Sequence, residues 1–381
     1  MSLRATELLK RFGRKIASPF ISQRTMLPPN DGTDRRLAHL LGVSKPVERT
    51  RHPATTDAQP DERDRMMISA ATDSDALLAV ARAARDSGYS FTTVTPATHA
   101  KVVSRPENAR ARGLRDVLGW SRPFMADLLP EAMTDLMRRA GVVEEGPEGL
   151  RAKIRLSSLD DELFVHSAYP PTATDAVFFG PDTVRFVSAV LDHLAHRTVP
   201  PSRVVDIGCG SGAAGIVIAK RLPEAEVVLV DINLCALRMA GVNARLAGTE
   251  RVKLCQSDML SSVEGSFDLI VSNPPFMIDP GARAYRHGGG ELGSDLSLTI
   301  IRTAADRLAP GGSLVLFTGS AIIEGGDPFR DAAQRICSEA GLDWSYREFD
   351  PDAYAEELDT PGYARAERIA LVVLTATRAT R

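Results

Sequence analysis

Three groups of residues in the second half of the chain are spaced as a ligand site would space them. In "VVDIGCGSGAAGI" (204–216) an apolar run meets Gly208, Gly210 and Gly212, with Cys209 between them. Glycines let a backbone turn sharply and approach a ligand with no Cβ in the way. Asp206 ends that run, where a carboxylate can face a cationic ligand. Asp231 ends the next run, the position from which doubly wound folds hold ribose hydroxyls. Asp258, in "QSDML", follows a third run and is placed to accept from a ring amino group, with Met259 beside it. The third group lies in "DLIVSNPPFMID" (268–279), where an apolar run stops at Ser272 and is followed by Asn273, Pro274, Pro275 and Phe276. Proline has no backbone donor and cannot continue a central strand, so an amide, two stiff residues and an aromatic ring are delivered to one strand end.

Taken alone, the glycine loop also suits a dinucleotide enzyme, or a tight strand–helix turn with no ligand. The four pieces together, "DIGCGSG", "VDIN", "SDML" and "SNPPF", resemble the class I S-adenosylmethionine-dependent methyltransferases of the Asn-Pro-Pro-Phe/Tyr group. The methyltransferase small domain belongs to this group, as do ribosomal RNA guanine-N2 and release-factor-type glutamine-N5 enzymes. The resemblance covers roughly residues 170 to 375. It implies S-adenosylmethionine as cofactor, a ligand with no phosphate but with a sulfonium, an ammonium and a ribose. Asp206, Gly208, Gly210 and Gly212 would line its methionine part, with Cys209 a small filler. Asp231, with Ile232 beside it, would hold the ribose, and Asp258 and Met259 the adenine. The resemblance also implies methyl transfer to a planar nitrogen. Asn273 and the Pro274 carbonyl would accept its N–H groups, Pro275 would stiffen the turn, and Phe276 would stack on a flat substrate. No metal is required.

These residues need a scaffold that brings strand ends together. From Pro201 onward, "RVVDI", "EVVLV", "VKLCQ", "FDLIV" and "SLVLF" alternate with "AAGIVIAKRL", "LCALRMAGVNARLAG" and "SDLSLTIIRTAADRLAPGG"; "RIALVVLTATR" is a further strand. Short runs apolar on both faces, separated by helices, predict a parallel sheet covered on both sides. The expected fold is α/β: a doubly wound, mostly parallel, seven-stranded Rossmann-like methyltransferase sheet over residues 169–381, with a smaller N-terminal α+β domain. That smaller domain, 66–168, is expected to recognise substrate. It is read as a helix from the Ser74-Asp75 cap to Gly88, two short helices in "RPFMADLLPEAMTDLMRRAG", and a hairpin in "LRAKIRLSSLDDELFVHSAYP", a winged arrangement. Residues 1–65 read as a flexible basic and proline-rich segment, with an amphipathic stretch "LRATELLKRFGRKI" suited to docking, targeting or a lipid surface.

Net charge is −3 over 381 residues, so the total advertises no nucleic-acid or membrane partner. Cys209, Cys235, Cys255 and Cys337 form no CxxC pair and no zinc spacing, which fits reduced thiols in a cytoplasmic setting. No apolar run approaches the ~20 residues of a membrane span. Locally the balance differs: Lys101, Arg105, Arg110, Arg112, Arg115 and Arg122 face only Glu107 and Asp116, and could track a phosphate backbone. Two further stretches touch the expected site. Phe178 and Phe179 could cap the cofactor or pack between domains. In "RAYRHGGGELGSD", Arg283, Tyr285, Arg286 and His287 could reach substrate, with Gly288, Gly289 and Gly290 as a lid hinge. The expected acceptor is an RNA base, ribosomal RNA included, with a protein glutamine second and a small amino-bearing metabolite third. A binding module without activity is disfavoured, because the glycines, Asp231 and Asn273 are all in place.

Overall fold

The computed structural model describes residues 62–279, 281, 283 and 285–380. The amphipathic stretch and nearly all of the expected flexible segment lie outside the described residues. The chain first forms helices α1 (Glu62–Asp86), α2 (Pro96–Val103), α3 (Leu114–Leu118) and α4 (Glu131–Arg139). Helix α1 starts before the expected Ser74-Asp75 cap, because no glycine or proline in "ERDRMMISAATD" stops a helix there. Two antiparallel hairpins follow. One pairs β1 (Val143–Gly146) with β2 (Gly149–Ala152), and the other pairs β3 (Ile154–Leu159) with β4 (Glu162–Ser167). The second turns at Asp160 and Asp161, both left-handed (φ 52° and 65°), as the Leu-Asp-Asp-Glu pattern predicts. The first hairpin was not foreseen. It also displaces one of the two short helices expected after Arg122: Phe124 exchanges two backbone hydrogen bonds of 2.8 Å with Leu150 of β2, so that segment is extended.

The larger unit begins with α5 (Pro181–His196) and continues through β5 (Arg203–Ile207), α6 (Ala213–Arg221), β6 (Glu226–Asp231), α7 (Leu234–Ala247), β7 (Lys253–Gln256) and β8 (Phe267–Ser272). It ends with α8 (Asp295–Arg307), β9 (Leu308–Ile322), α9 (Pro328–Glu339), β10 (Leu342–Asp350) and β11 (Arg368–Arg378). The seven strands form one sheet in the order β10-β11-β9-β8-β5-β6-β7. Strands β5 to β9 pair in parallel, whereas β11 runs antiparallel to β9 and to β10. Side chains alternate across the pleat. Val204, Leu269 and Val271 face the layer of α5, α6 and α7, while Val205, Ile207 and Ile270 face α8 and α9. This is the expected doubly wound, mostly parallel, seven-stranded Rossmann-like sheet. The chain order reverses between β5 and β8, the switch point at whose carboxyl end such sheets bind ligands.

The smaller unit does not stand apart. Its core of Leu77, Val80, Phe91, Phe124, Met133 and Leu156 continues directly into Ala236, Met239, Val242 and Leu246 of α7. Asn243, fully buried in that helix, pairs with the backbone of Val165 in β4: its Oδ1 accepts at 2.7 Å and its Nδ2 donates at 2.9 Å.

Candidate active site

Strand β5 brings its last residues to the switch point, and the glycine loop must then reverse into α6 within a few residues. Gly208, Gly210 and Gly212 all take positive φ (67°, 54° and 79°), a region costly for other residues. Space adds a second requirement at Gly212, where a Cβ would stand 3.0 Å from Leu229 and 3.1 Å from Ala240. The loop is fastened from behind. Cys209 N donates to Val230 O (2.9 Å), and Asn243 Nδ2 donates to Ser211 O (2.9 Å). Sequence reading missed this role of Asn243; the signal was a single amide amid the apolar residues of "LCALRMAGVNARLAG".

The carboxylates come next. Asp206 is 1% exposed, and its Oδ2 accepts from Gly215 N at 3.0 Å, in the first turn of α6. Burial raises its pKa to about 7; the Gly215 bond opposes the shift and neighbouring Asp231 adds to it. Asp231 accepts on both oxygens, from Gly210 N and Asn233 N, each at 2.9 Å. Its pKa is also raised, mainly by burial and against those hydrogen bonds. Among the described residues neither carboxylate has an ion-pair partner. A buried acid close to a half-buried one, with no cation between them, is expensive, so the arrangement suits a positively charged ligand. Asp258 is exposed at the end of β7, and Met259 beside it takes a left-handed turn (φ 49°).

At the end of β8, Ser272 Oγ donates to Ile207 O (2.7 Å), holding the two strand ends together where Asn273 leaves the sheet. The Asn273 Oδ1 is buried and has no hydrogen-bond partner. A buried acceptor left unpartnered costs about 1–3 kcal/mol, so an N–H donor is its natural complement. One cavity collects these groups. Its wall includes Asp206, Gly208, Cys209, Gly210, Asp231, Ile232, Asp258, Met259, Asn273, Pro274 and Pro275. Phe178, Ser211, Ser257 and Tyr285 lie on the same wall.

Gly212 and Phe276 are not on that wall. Gly212 shapes the loop from behind. Phe276 departs from the expected stacking role: it is 9% exposed, and its ring lies against Gly319 of β9, where a Cβ would be 2.5 Å from the ring. Tyr354 meets it edge-on at 5.9 Å, and the Tyr354 hydroxyl donates to the buried Asp182 carboxylate. Removing this apolar ring from water stabilises the turn from below and leaves no face for a substrate.

The hinge expected at Gly288–290 is corrected as well. A Cβ at Gly288 would stand 1.9 Å from Gly293 O and 2.7 Å from Phe276 Cα. Gly288 N donates to Met277 O (3.0 Å) and Leu296 N to Gly288 O (2.9 Å). Gly288 is there for close packing under the Asn273–Phe276 turn, while Gly289 and Gly290 take positive φ (78° and 70°) against Asp295. Of the four side chains offered to substrate, Arg283 and Arg286 are taken by Asp279 and Glu357, and His287 Nδ1 accepts from Asp279 N at 3.3 Å. Only Tyr285 reaches the cavity wall. The Arg283 hydrogen bonds hold Asp279 at a pKa of about 2. The two phenylalanines divide: Phe178, 38% exposed, reaches the cavity, and Phe179 is buried against His166 with ring centroids 5.0 Å apart.

Comparison with known proteins bears on this geometry. Residues 173–322 match the family model of the methyltransferase small domain. A release factor glutamine methyltransferase from Deinococcus radiodurans is 35% identical over 149 residues, covering 36% of this chain and 51% of that one. A ribosomal protein uL3 glutamine methyltransferase from Neisseria meningitidis is 34% identical over 139 residues, covering 34% and 44%. A ribosomal RNA small subunit methyltransferase C from Hahella chejuensis is 39% identical over 114 residues, covering 30% of each. The chain spans about half the length, or less, of these curated relatives. The matched region contains β5 to β9, the glycine loop, both carboxylates and the Asn273 turn, so the similarity to the methyltransferase small domain falls on the part of the chain that builds the candidate site.

Proposed function

We propose that the chain is an S-adenosylmethionine-dependent N-methyltransferase whose acceptor is a planar nitrogen, an amino group on an RNA base. The single observation that carries the reading is the unpartnered, buried Asn273 Oδ1 on a cavity wall shared with two uncompensated carboxylates. The cofactor fits this wall by charge: Asp206 suits a cationic methionine part, Asp231 has acceptor capacity for a ribose diol beyond its two backbone donors, and Asp258 suits an adenine amino group. Bound there, S-adenosylmethionine supplies an electrophilic methyl group on sulfonium. The protein's own contribution is to the acceptor. A nitrogen conjugated to a ring is a poor nucleophile because its lone pair is delocalised. An N–H held by Asn273 Oδ1 is fixed in direction, and Pro274 and Pro275 keep that acceptor from yielding, so reorganisation occurs at folding rather than at reaction.

A second reading, a glutamine side-chain amide as acceptor, is favoured by the glutamine-specific relatives and asks the same of Asn273. The discriminating experiment incubates the protein and tritiated S-adenosylmethionine with cell lysate, then digests with ribonuclease or protease. Label that ribonuclease releases and protease does not supports the RNA base; the opposite pattern removes it in favour of glutamine. Asn273→Ala tests the shared chemistry: turnover should vanish while calorimetry still shows cofactor binding. Turnover at the wild-type rate would refute the role of Asn273.

A further inference from the structure

We infer that single-stranded RNA reaches the cavity along an aromatic and basic track on the smaller unit, outside the family-matched region, with Phe178 and Tyr285 as the stacking surface that Phe276 does not provide. The inference rests on the proposed acceptor class and names how that acceptor is held. It begins at the cavity wall, where the rings of Phe178 and Tyr285 are nearly parallel, 10° apart in plane with centroids 6.2 Å apart. A flat group stacked on one ring therefore lies parallel to the other. Phe178 is one of the few large apolar side chains left exposed among the described residues, and Asn273 Oδ1 offers its acceptor to an N–H on the same wall. Tyr285 is held in place: its hydroxyl donates to Pro171 O (3.1 Å) and accepts from Arg283 Nη1 (3.1 Å), and Arg283 is locked to Asp279.

From Tyr285 a run of ring contacts continues outward and passes beneath the surface at His99. Two residues before Pro171, the half-buried Tyr169 packs on His99, which is 6% exposed, at 4.4 Å, and its backbone N donates to Ser121 Oγ at 3.2 Å. His99 in turn lies 5.7 Å from the half-buried Trp120, whose N donates to Arg115 O at 3.3 Å. That contact reaches the basic stretch. Arg122 is consumed there, 3% exposed and paired with Asp116 at 2.7 Å. Lys101, Arg105, Arg110, Arg112 and Arg115 all remain exposed, against a single exposed carboxylate, Glu107. In a chain of net charge −3, this is a local reversal of sign joined by aromatic rings to the cavity. Cations that follow a phosphate backbone, with rings on which bases stack, are what single-stranded RNA requires.

Fluorescence anisotropy with a labelled, mixed-sequence single-stranded RNA of roughly 20 nucleotides, longer than one typical binding module covers, tests this directly. The wild-type affinity should fall steeply as KCl is raised. The triple variant Arg105→Glu, Arg110→Glu, Arg112→Glu should bind at least about tenfold more weakly. Its slope of log affinity against log salt should be smaller by roughly 2, at about 0.7 for each phosphate no longer neutralised. Lysine at the same three positions should restore both. Tyr285→Ala should weaken binding by about five- to a hundredfold with the salt slope unchanged, the signature of a missing stack. Wild-type affinity and slope in the glutamate triple variant would overturn the track, and so would a wild-type protein that methylates a glutamine peptide but binds this RNA no better than the triple variant does. Binding is read without turnover. RNA bound through these arginines by a protein that shows no calorimetric affinity for S-adenosylmethionine would sink the methyl-transfer reading and leave the track standing.

Discussion

Asp206 should make the ligand-free protein less stable as pH rises, and Asp206→Asn should abolish that loss. The carboxyl is 1% exposed with a pKa of about 7, against 3.8 for the ordinary side chain, and its bond from Gly215 N is the one that ionisation strengthens. Because the folded value is raised, the folded state holds the proton longer than the unfolded chain. The stability this proton contributes is complete below about pH 4 and is lost as pH climbs through 7. Between pH 5 and 8 the loss is about 3 kcal/mol, from 1.36 kcal/mol per pH unit with levelling near the folded value. Asparagine keeps an acceptor for Gly215 N and carries no charge. Urea titrations of wild type and Asp206→Asn, run in parallel from pH 5 to 8, isolate this one group because all other ionisations are common to both. The variant's advantage should grow by about 3 kcal/mol over that range. A difference that stays flat with pH would refute the claim that an uncompensated buried carboxylate is stored at this site. The companion expectation is functional: a cationic ligand favours the ionised form, so wild-type affinity for S-adenosylmethionine should rise towards pH 7 and then level, and the variant should lose both the affinity and the pH dependence.

Two further outcomes follow from the geometry. Asp231→Ala removes an acceptor that serves Gly210 N and Asn233 N as well as the ligand, so cofactor affinity should fall by about tenfold or more in calorimetry, at 1.5–3 kcal/mol per charged hydrogen bond. Unchanged affinity would remove it from the ribose site. Gly319→Ala puts a methyl 2.5 Å from the Phe276 ring and should cost about 1–3 kcal/mol by overpacking. Since Phe276 is off the cavity wall, turnover should drop with cofactor binding intact, and unaltered kcat and melting temperature would show that Phe276 does not set the turn.

Local rules made much of this chain readable. The apolar runs ending at Asp206, Asp231 and Ser272 are short, bounded and alternate with helical stretches, so strand, turn and ligand end follow from periodicity and turn chemistry. Strand β10 went unread, although Leu342, Trp344 and Tyr346 alternate with polar residues; an edge strand with one wet face lacks the continuous apolar run that marks its neighbours. The Pro-Pro pair fixed where β8 ends by backbone chemistry alone. The direction in which a side chain points after such a turn is another matter, because it depends on which neighbour can exclude water from it. Phe276 turns inward because Gly319, far away in sequence, leaves room for a ring and Tyr354 covers it. Gly288 reads as a hinge until the backbone of Phe276 is placed against it. Asn243 is one polar residue in an apolar helix until Val165 and Ser211 come within reach of its amide. The sequence by itself therefore determined most of the elements, their order and the residues at each parallel strand end, since these depend on near neighbours along the chain. Only the tertiary structure decided which of those residues face the cavity, which acceptor is left unpartnered, and which rings line the wall, since these depend on burial against distant segments.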